Sequence, residues 1–236
     1  MTADQRLVPG IVGFAPATDA VYLRALQSAA SSGHGLVNTL RTLTATLDTD
    51  RFFGLDAEGR TAEAEAMAVA AAEALRAGGA DFLVVTSNTG SVIFEGAADR
   101  MLPVLDIFDT VARETRGTGA TTAGLLSTRR TAESGRYGTA GEAHGLTVLT
   151  PPAELVDRID ELIGREAIRG IQTPESLRLL QDAVDGFAAR GADAVILGCT
   201  DLMLFGLEQI GHGVLPIVDS TRAHARAAAR LALDGL

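Results

Sequence analysis

The strongest constraint on how this chain folds is an internal repeat. Gly79-Ala80-Asp81-Phe82-Leu83-Val84-Val85-Thr86-Ser87-Asn88-Thr89 returns as Gly191-Ala192-Asp193-Ala194-Val195-Ile196-Leu197-Gly198-Cys199-Thr200. Ser87 and Cys199 hold equivalent places. Each copy follows an alanine-rich, helix-forming stretch, and a second echo comes after each: Leu102-Pro103-Val104-Leu105-Asp106 against Leu215-Pro216-Ile217-Val218-Asp219. Self-similarity of this length predicts two related halves. If the halves face each other, Ser87 and Cys199 stand on opposite walls of one cleft. That arrangement suits chemistry at both faces of a single carbon.

The order of elements gives the fold class. Ile11-Val12-Gly13-Phe14 reads as a strand, with a helix over Ala20 to Ala30. Arg60 to Arg76 is rich in Ala, Glu and Met, hence helical, and Gly78-Gly79 stops it. Phe82 to Val85 is an unbroken apolar run, as in a strand buried on both faces of a parallel sheet. Val104 to Ile107 reads as a further strand, and Thr110 to Thr115 opens a helix. Strands then fit Ala123 to Leu126, Leu146 to Leu149, Ala194 to Leu197 and Ile217-Val218. Helices fit Ala153 to Arg169, Pro174 to Arg190 and Thr221 to Leu233. Thr173 is the expected N-cap of the second of these, with Pro174 at its first position. Strands alternating with helices predict an α/β fold of two pseudo-symmetric domains, each a parallel sheet flanked by helices. The first would span residues 1–110, joined by a C-terminal helix from 216–236, and the second 111–215. Ligands in such sheets bind at the carboxyl ends of the strands. Ser87, Ser127, Thr128, Cys199 and Thr200 all fall there.

Composition narrows the function. With 236 residues, nearly half of them apolar, the chain can build a proper core. A net charge of −10 argues against nucleic acid or an anionic membrane as partner. Apolar runs are strand-sized, so no membrane span is expected, and Met1 to Pro9 lacks the apolar core of a signal peptide. The single cysteine forbids an intrachain disulfide and fits a reducing cytoplasm. All 20 basic residues are arginine. Without a lysine there is no Schiff base for pyridoxal phosphate. His34, His144, His212 and His224 show no paired spacing, so no metal site is expected. No cofactor is implied.

Cys199 is the leading candidate for chemistry. Most lone cysteines are small buried hydrophobes. This one leaves a strand after Gly198 and precedes a hydroxyl residue, in the slot mirrored by Ser87-Asn88-Thr89. Backbone N–H groups at such a turn can bind a carboxylate and favour a thiolate. Ser87 is a weak nucleophile and a poor base near neutrality, yet it can donate a hydrogen bond. Asn88, Thr89, Thr128, Thr131 and Thr200 could ring a small anion with donors, although turn chemistry explains such residues about as often. His224, after Asp219-Ser220-Thr221, could approach Cys199 and take its proton, where packing is the commoner fate. Arg51 is a solvated charge by default and a carboxylate clamp if it reaches the cleft.

Together these residues resemble the aspartate/glutamate racemase family, cofactor-independent enzymes that use two cysteines to exchange an α-proton. The resemblance runs over nearly the whole chain. Gly10-Ile11-Val12-Gly13-Phe14-Ala15-Pro16-Ala17-Thr18 is similar to the family's GILGGMGPxAT. Ser87-Asn88-Thr89-Gly90-Ser91 falls on CNTAH, and Gly124 to Thr131 on GLLATxGT, with Ser134-Gly135-Arg136-Tyr137 following as SGxY. Gly198-Cys199-Thr200-Asp201 falls on GCTE, and Asp219-Ser220-Thr221 with His224 on DSTxxH.

By this resemblance Cys199 is the second catalytic thiol, and Asn88, Thr89, Thr128, Thr131 and Thr200 hold the substrate α-carboxylate and amine. Arg51 falls on an arginine that binds the side-chain carboxylate in aspartate racemases. Two similar domains, a cleft site and a homodimer are implied, with a small amino-acid or carboxylate substrate. The chain departs from the pattern at the first cysteine, which is Ser87, at the histidine of CNTAH, which is Ser91, and at Asp201 in place of glutamate. A lysine that assists the distal carboxylate in some members is missing near Ile168-Arg169, where Arg169 could substitute. The leading expectation is a racemase or epimerase of aspartate, glutamate or a related small acid, with Cys199 as acid/base and Ser87 opposite. The alternatives are a one-cysteine enzyme resembling arylmalonate decarboxylase, in which a single thiol protonates an enediolate, and a racemase-like binding protein without turnover.

Overall fold

A computed structural model describes residues 6–31, 40–206 and 215–235. His34, His212 and the stretch 1–5 lie outside the described residues. The chain divides into two compact units, Met1–Asp106 with His224–Leu236, and Ile107–Ala223. The expected alternation of strands and helices is present in both.

The first unit holds β1 (Pro9–Gly13), α1 (Pro16–Ser31), β2 (Leu43–Thr46), α2 (Thr49–Ala57), α3 (Thr61–Ala77), β3 (Phe82–Val85) and α4 (Asn88–Phe94). Its sheet is parallel throughout, in the order β2-β1-β3. Alternation along β3 sends its side chains to two cores. Leu83 and Val85 join Phe52, Ala68 and Ile93, whereas Phe82 and Val84 join Tyr22, Leu26, Ala225 and Ala228. Helices therefore cover both faces, and all four residues of β3 are buried.

The second unit holds α5 (Ile107–Gly117), β4 (Thr122–Leu126), α6 (Arg129–Glu133), α7 (Arg136–Ala143), β5 (Thr147–Leu149), α8 (Ala153–Arg165), α9 (Pro174–Ala189), β6 (Ala194–Leu197) and β7 (Ile217–Asp219). Its sheet, β5-β4-β6-β7, is again parallel. α10 (Ser220–Asp234) then carries the chain back to the first unit.

The repeated sequence makes repeated bonds. α3 and α9 each end on a glycine with positive φ, Gly79 at 91° and Gly191 at 84°, a conformation costly for any residue with a Cβ. The next amide reaches back in the same way, Ala80 N to Leu75 O and Ala192 N to Phe187 O, both 3.0 Å. The aspartates that follow stitch neighbouring strands. Asp81 Oδ2 accepts from Val8 N at 2.7 Å, and Asp193 accepts from Thr121 N and Thr122 N.

Several expectations change. Val104 to Ile107 is not a strand: Val104 makes a single bridge to Leu83, and α5 already starts at Ile107. Leu83 N donates to Pro103 O and Leu105 N to Leu83 O, after which the chain leaves for the second unit. The matching echo forms the full strand β7 on β6. The helix expected from Ala153 to Arg169 breaks at Glu166, whose carboxylate accepts from Thr173 Oγ1 and Ser176 Oγ at the start of α9. Thr173 caps α9 as expected.

Candidate active site

Ser87 sits at the carboxyl end of β3 as the N-cap of α4. Its backbone is extended (φ −145°, ψ 129°), and its Oγ accepts from Gly90 N at 3.0 Å. Ser91 Oγ donates to Ser87 O at 2.8 Å. Gly90 is needed here, because a Cβ would come within 2.6 Å of Phe14 Cζ. Asn88 is buried in the first turn of α4, next to Thr89.

Cys199 holds the same position in the second unit. It leaves β6 with almost the same backbone (φ −132°, ψ 128°) and caps a 3-10 turn over Thr200–Phe205. Gly198 makes the approach possible. Its N–H bonds Leu126 O at 2.7 Å, and a Cβ there would press on Leu125, Tyr137 and Ser127. On the neighbouring strand end, Thr128 caps α6: its Oγ1 accepts from Thr131 N at 3.3 Å and donates to Thr131 Oγ1 at 3.1 Å. The second unit thus gathers Cys199, Thr200, Thr128 and Thr131 at the carboxyl ends of two adjacent strands. The first unit gathers Ser87, Asn88 and Thr89 at one.

The electrostatics of Cys199 differ from expectation. Burial pushes its thiol up to about 12, and the negative charge of Asp201 adds to the shift. The N–H groups of Asp201 and Leu202 oppose it without closing a capping hydrogen bond, and the Asp160 charge reinforces it. The turn does favour a thiolate, but desolvation of a buried charge outweighs two N–H groups. At neutral pH Cys199 is a thiol, able to give a proton rather than take one.

His224 has a hydrogen-bond partner at each ring nitrogen. It is fully buried, with Nε2 at 3.0 Å from Leu105 O and Nδ1 at 2.9 Å from Tyr22 Oη. A carbonyl only accepts, so Nε2 carries the hydrogen and Nδ1 accepts from the tyrosine. Both nitrogens are taken within the first unit, and burial lowers the pKa to about 4. Its role is to pack and to bond Leu105, next to the point where the chain leaves that unit.

Arg51 stands exposed on α2, whose N-cap Asp48 accepts from its backbone N–H. The Glu63 carboxyl is held below the usual range mainly by its hydrogen bond from Arg60, and the Arg51 charge adds a little. The sequence reading overlooked Asp19, a buried carboxyl in the first turn of α1, and Asp160, which accepts from Arg129 N at 2.9 Å beside the Thr128 loop. Neither falls in a motif, and only the fold brings them to the strand ends. Among the described residues no group of His, Cys, Asp and Glu could hold a metal ion, and no helix is long and apolar enough to cross a membrane.

Two parallel sheets, each ending in a strand-to-turn cap with a Ser or Cys at its head, define an α/β protein built on one repeated half-site. The sequence profile of the Asp/Glu/Hydantoin racemase family matches residues 11–228, and the chain belongs to that family. A glutamate racemase of Ectopseudomonas mendocina is 28% identical over 169 residues, 67% of this chain and 61% of that protein's own length. A candidate Asp/Glu racemase from Yersinia pestis has a solved structure that superposes with a TM-score of 0.83 at 27% identity, covering 97% of this chain and all of that one. The fold of an aspartate racemase homologue from Pyrococcus horikoshii matches with a TM-score of 0.75 at 23% identity, over 97% of this chain and 99% of that one.

Proposed function

We propose that the protein is a cofactor-independent racemase or epimerase acting on aspartate, glutamate or a related small acid by removal and return of the α-proton. The observation that carries this reading is the matched pair of caps: Ser87 and Cys199 occupy the same place and backbone conformation at the ends of β3 and β6, in a chain of the racemase family. Cys199 serves as the acid/base on one face of the α-carbon and Ser87 as a hydroxyl partner on the other. Asn88, Thr89, Thr128, Thr131 and Thr200 supply donors for the α-carboxylate and acceptors for the amine, and Arg51 meets the side-chain carboxylate. A buried thiol rests protonated. For it to act as a base, the substrate's ammonium charge would offset the burial that holds the proton on sulfur and the smaller effects of Asp201 and Asp160. The relatives reported above favour this reading over a decarboxylase or a binding protein. It carries with it a cytoplasmic location and a homodimer, supported by the single cysteine and the family resemblance.

The test is incubation of each pure enantiomer of aspartate and glutamate in D₂O, with chiral analysis and α-deuterium measured together. Exchange is expected, and Cys199→Ala should reduce it by about 10²–10⁴-fold, the usual worth of a positioned acid–base group, with an unchanged circular dichroism spectrum. Retention of more than about a tenth of the rate, well inside that range, sinks the assignment. Release of CO₂ from phenylmalonate without exchange of either amino acid replaces it with decarboxylation.

A further inference from the structure

The proposed reaction gives no role to Asp19, a buried carboxyl of the first unit. Asp19 is only 7% exposed. Its Oδ1 lies 2.7 Å from Thr86 Oγ1 and 3.4 Å from Phe14 N. Thr86 Oγ1 lies in turn 3.2 Å from Val12 O. A threonine hydroxyl has a single hydrogen to donate. It goes to the nearer acceptor, Asp19 Oδ1, which accepts from Phe14 N as well. From β1 and β3 the carboxyl meets Gly13 and Thr86, and among the described residues no charged side chain acts on it. A buried carboxylate is costly even where donors partly satisfy it. Burial accordingly raises the Asp19 carboxyl above its ordinary range, although Thr86 and Phe14 pull the other way. Gly13 leaves the necessary space, since a Cβ there would overlap Asp19 Oδ2.

We infer that Asp19 is a positioning residue, whose carboxyl ties Thr86 at the end of β3 to Phe14 at the end of β1 and so sets the loop that carries Ser87 and Asn88. The loop is held from both sides. Phe14 packs its ring edge against Gly90, and Gly90 in turn caps onto Ser87. Thr86 N also bonds Val12 O at 3.0 Å, which fixes the level at which Ser87 leaves the sheet. An amide oxygen in place of Oδ1 can accept from both Thr86 and Phe14, so Asp19→Asn keeps both bonds without a charge. Asp19→Ala makes neither bond. The consequence for turnover rests on the racemase reading; the placement of the loop does not.

The experiment compares wild type, Asp19→Asn and Asp19→Ala by amide hydrogen exchange over residues 86–91 and by thermal melting from pH 4 to pH 9. Exchange should quicken about fivefold in Asp19→Ala, the size expected of one lost hydrogen bond, and stay at the wild-type rate in Asp19→Asn. A carboxyl whose folded-state pKa is raised stabilises the fold fully below its unfolded value near 3.9, and the contribution fades as pH rises through the folded value. The melting temperature of Asp19→Asn should therefore meet that of wild type near pH 4 and exceed it by about 2–4 °C toward neutrality. If Asp19→Asn exchanges as fast as Asp19→Ala, or its melting advantage does not grow above pH 4, the inference is overturned. Wild type that behaves as described in both measurements yet racemises nothing overturns the proposed function and leaves the role of Asp19 standing.

Discussion

The ends of β3 and β6 are the same piece of backbone carrying different chemistry. Both leave a buried strand in an extended conformation, and both head a helical turn. Oxygen at the first makes a capping bond to Gly90 N, and the chain continues as the seven-residue α-helix α4. Sulfur at the second is a weak acceptor; no capping bond closes, and the chain winds as a 3-10 turn. The two are about equally buried, Ser87 at 8% and Cys199 at 7% exposure. Burial costs a neutral hydroxyl with a hydrogen-bond partner little, but it decides the protonation of a thiol. A repeated fold thus yields two unlike half-sites through one atom.

The largest expected effect tests the second half-site directly. The chain has one cysteine, so alkylation by iodoacetamide reads Cys199 alone. With its pKa moved from 9.0 to about 12, the thiolate fraction near pH 8 should fall on the order of 10³-fold below that of an unperturbed cysteine. The alkylation rate of the native protein should drop with it and recover on unfolding. Native and unfolded rates within tenfold of each other would mean that Cys199 is open to ionisation, and the contrast with Ser87 would narrow.

A second comparison concerns acid. His224 lies in the first unit, is fully buried and has its pKa lowered to about 4. A histidine depressed in the folded state stabilises the fold above its unfolded value of about 6.5 and loses that contribution as pH falls through the folded value. The loss between about pH 6.5 and pH 4 is on the order of 3 kcal/mol. His224→Gln, which keeps one donor and one acceptor, should flatten the acid limb of the stability curve measured by urea unfolding. An identical limb in the variant would assign acid sensitivity to another group.

Ser87→Cys makes the halves alike and is the sharpest test of their difference. A second thiol should raise net racemisation in both directions by at least about tenfold, the lower part of the acid–base range. α-Proton exchange at the Cys199 face should change little. Wild type that already racemises each enantiomer as fast as it exchanges would show Ser87 to be a full partner. The smallest effect is expected at Arg51. An exposed ion pair contributes about 1 kcal/mol or less, so Arg51→Ala should lower kcat/KM for aspartate about fivefold and leave alanine unaffected. Equal losses for both substrates would remove Arg51 from the site.

Much of this molecule was legible because the repeat and the apolar periodicity are local properties. Phe82–Val85 and Ala194–Leu197 were read with their true boundaries, since uninterrupted apolar runs between a helix-stopping glycine and a polar turn admit little else. Thr173 and Pro174 announced the start of α9 by capping chemistry alone. β2 was missed although Leu43, Thr44, Ala45 and Thr46 alternate in burial, because four short residues on a sheet edge give a weak signal. The short helices α4 and α6 were not anticipated as helices, because Ser87 and Thr128 serve equally well as turn residues or as caps.

The sequence by itself determined the parallel α/β halves, the equivalence of Ser87 and Cys199, and membership of a racemase family, because each depends on residue order and pattern. Tertiary structure alone decided the state of the groups. Cys199 is held as a thiol by burial and by the charges of Asp201 and Asp160. His224 is bonded by Tyr22, some 200 residues away in the chain, and by Leu105. Asp19 meets Thr86 only because α1 folds back onto β3. Protonation depends on what surrounds a group in space, and neighbours that far apart in sequence leave no local trace.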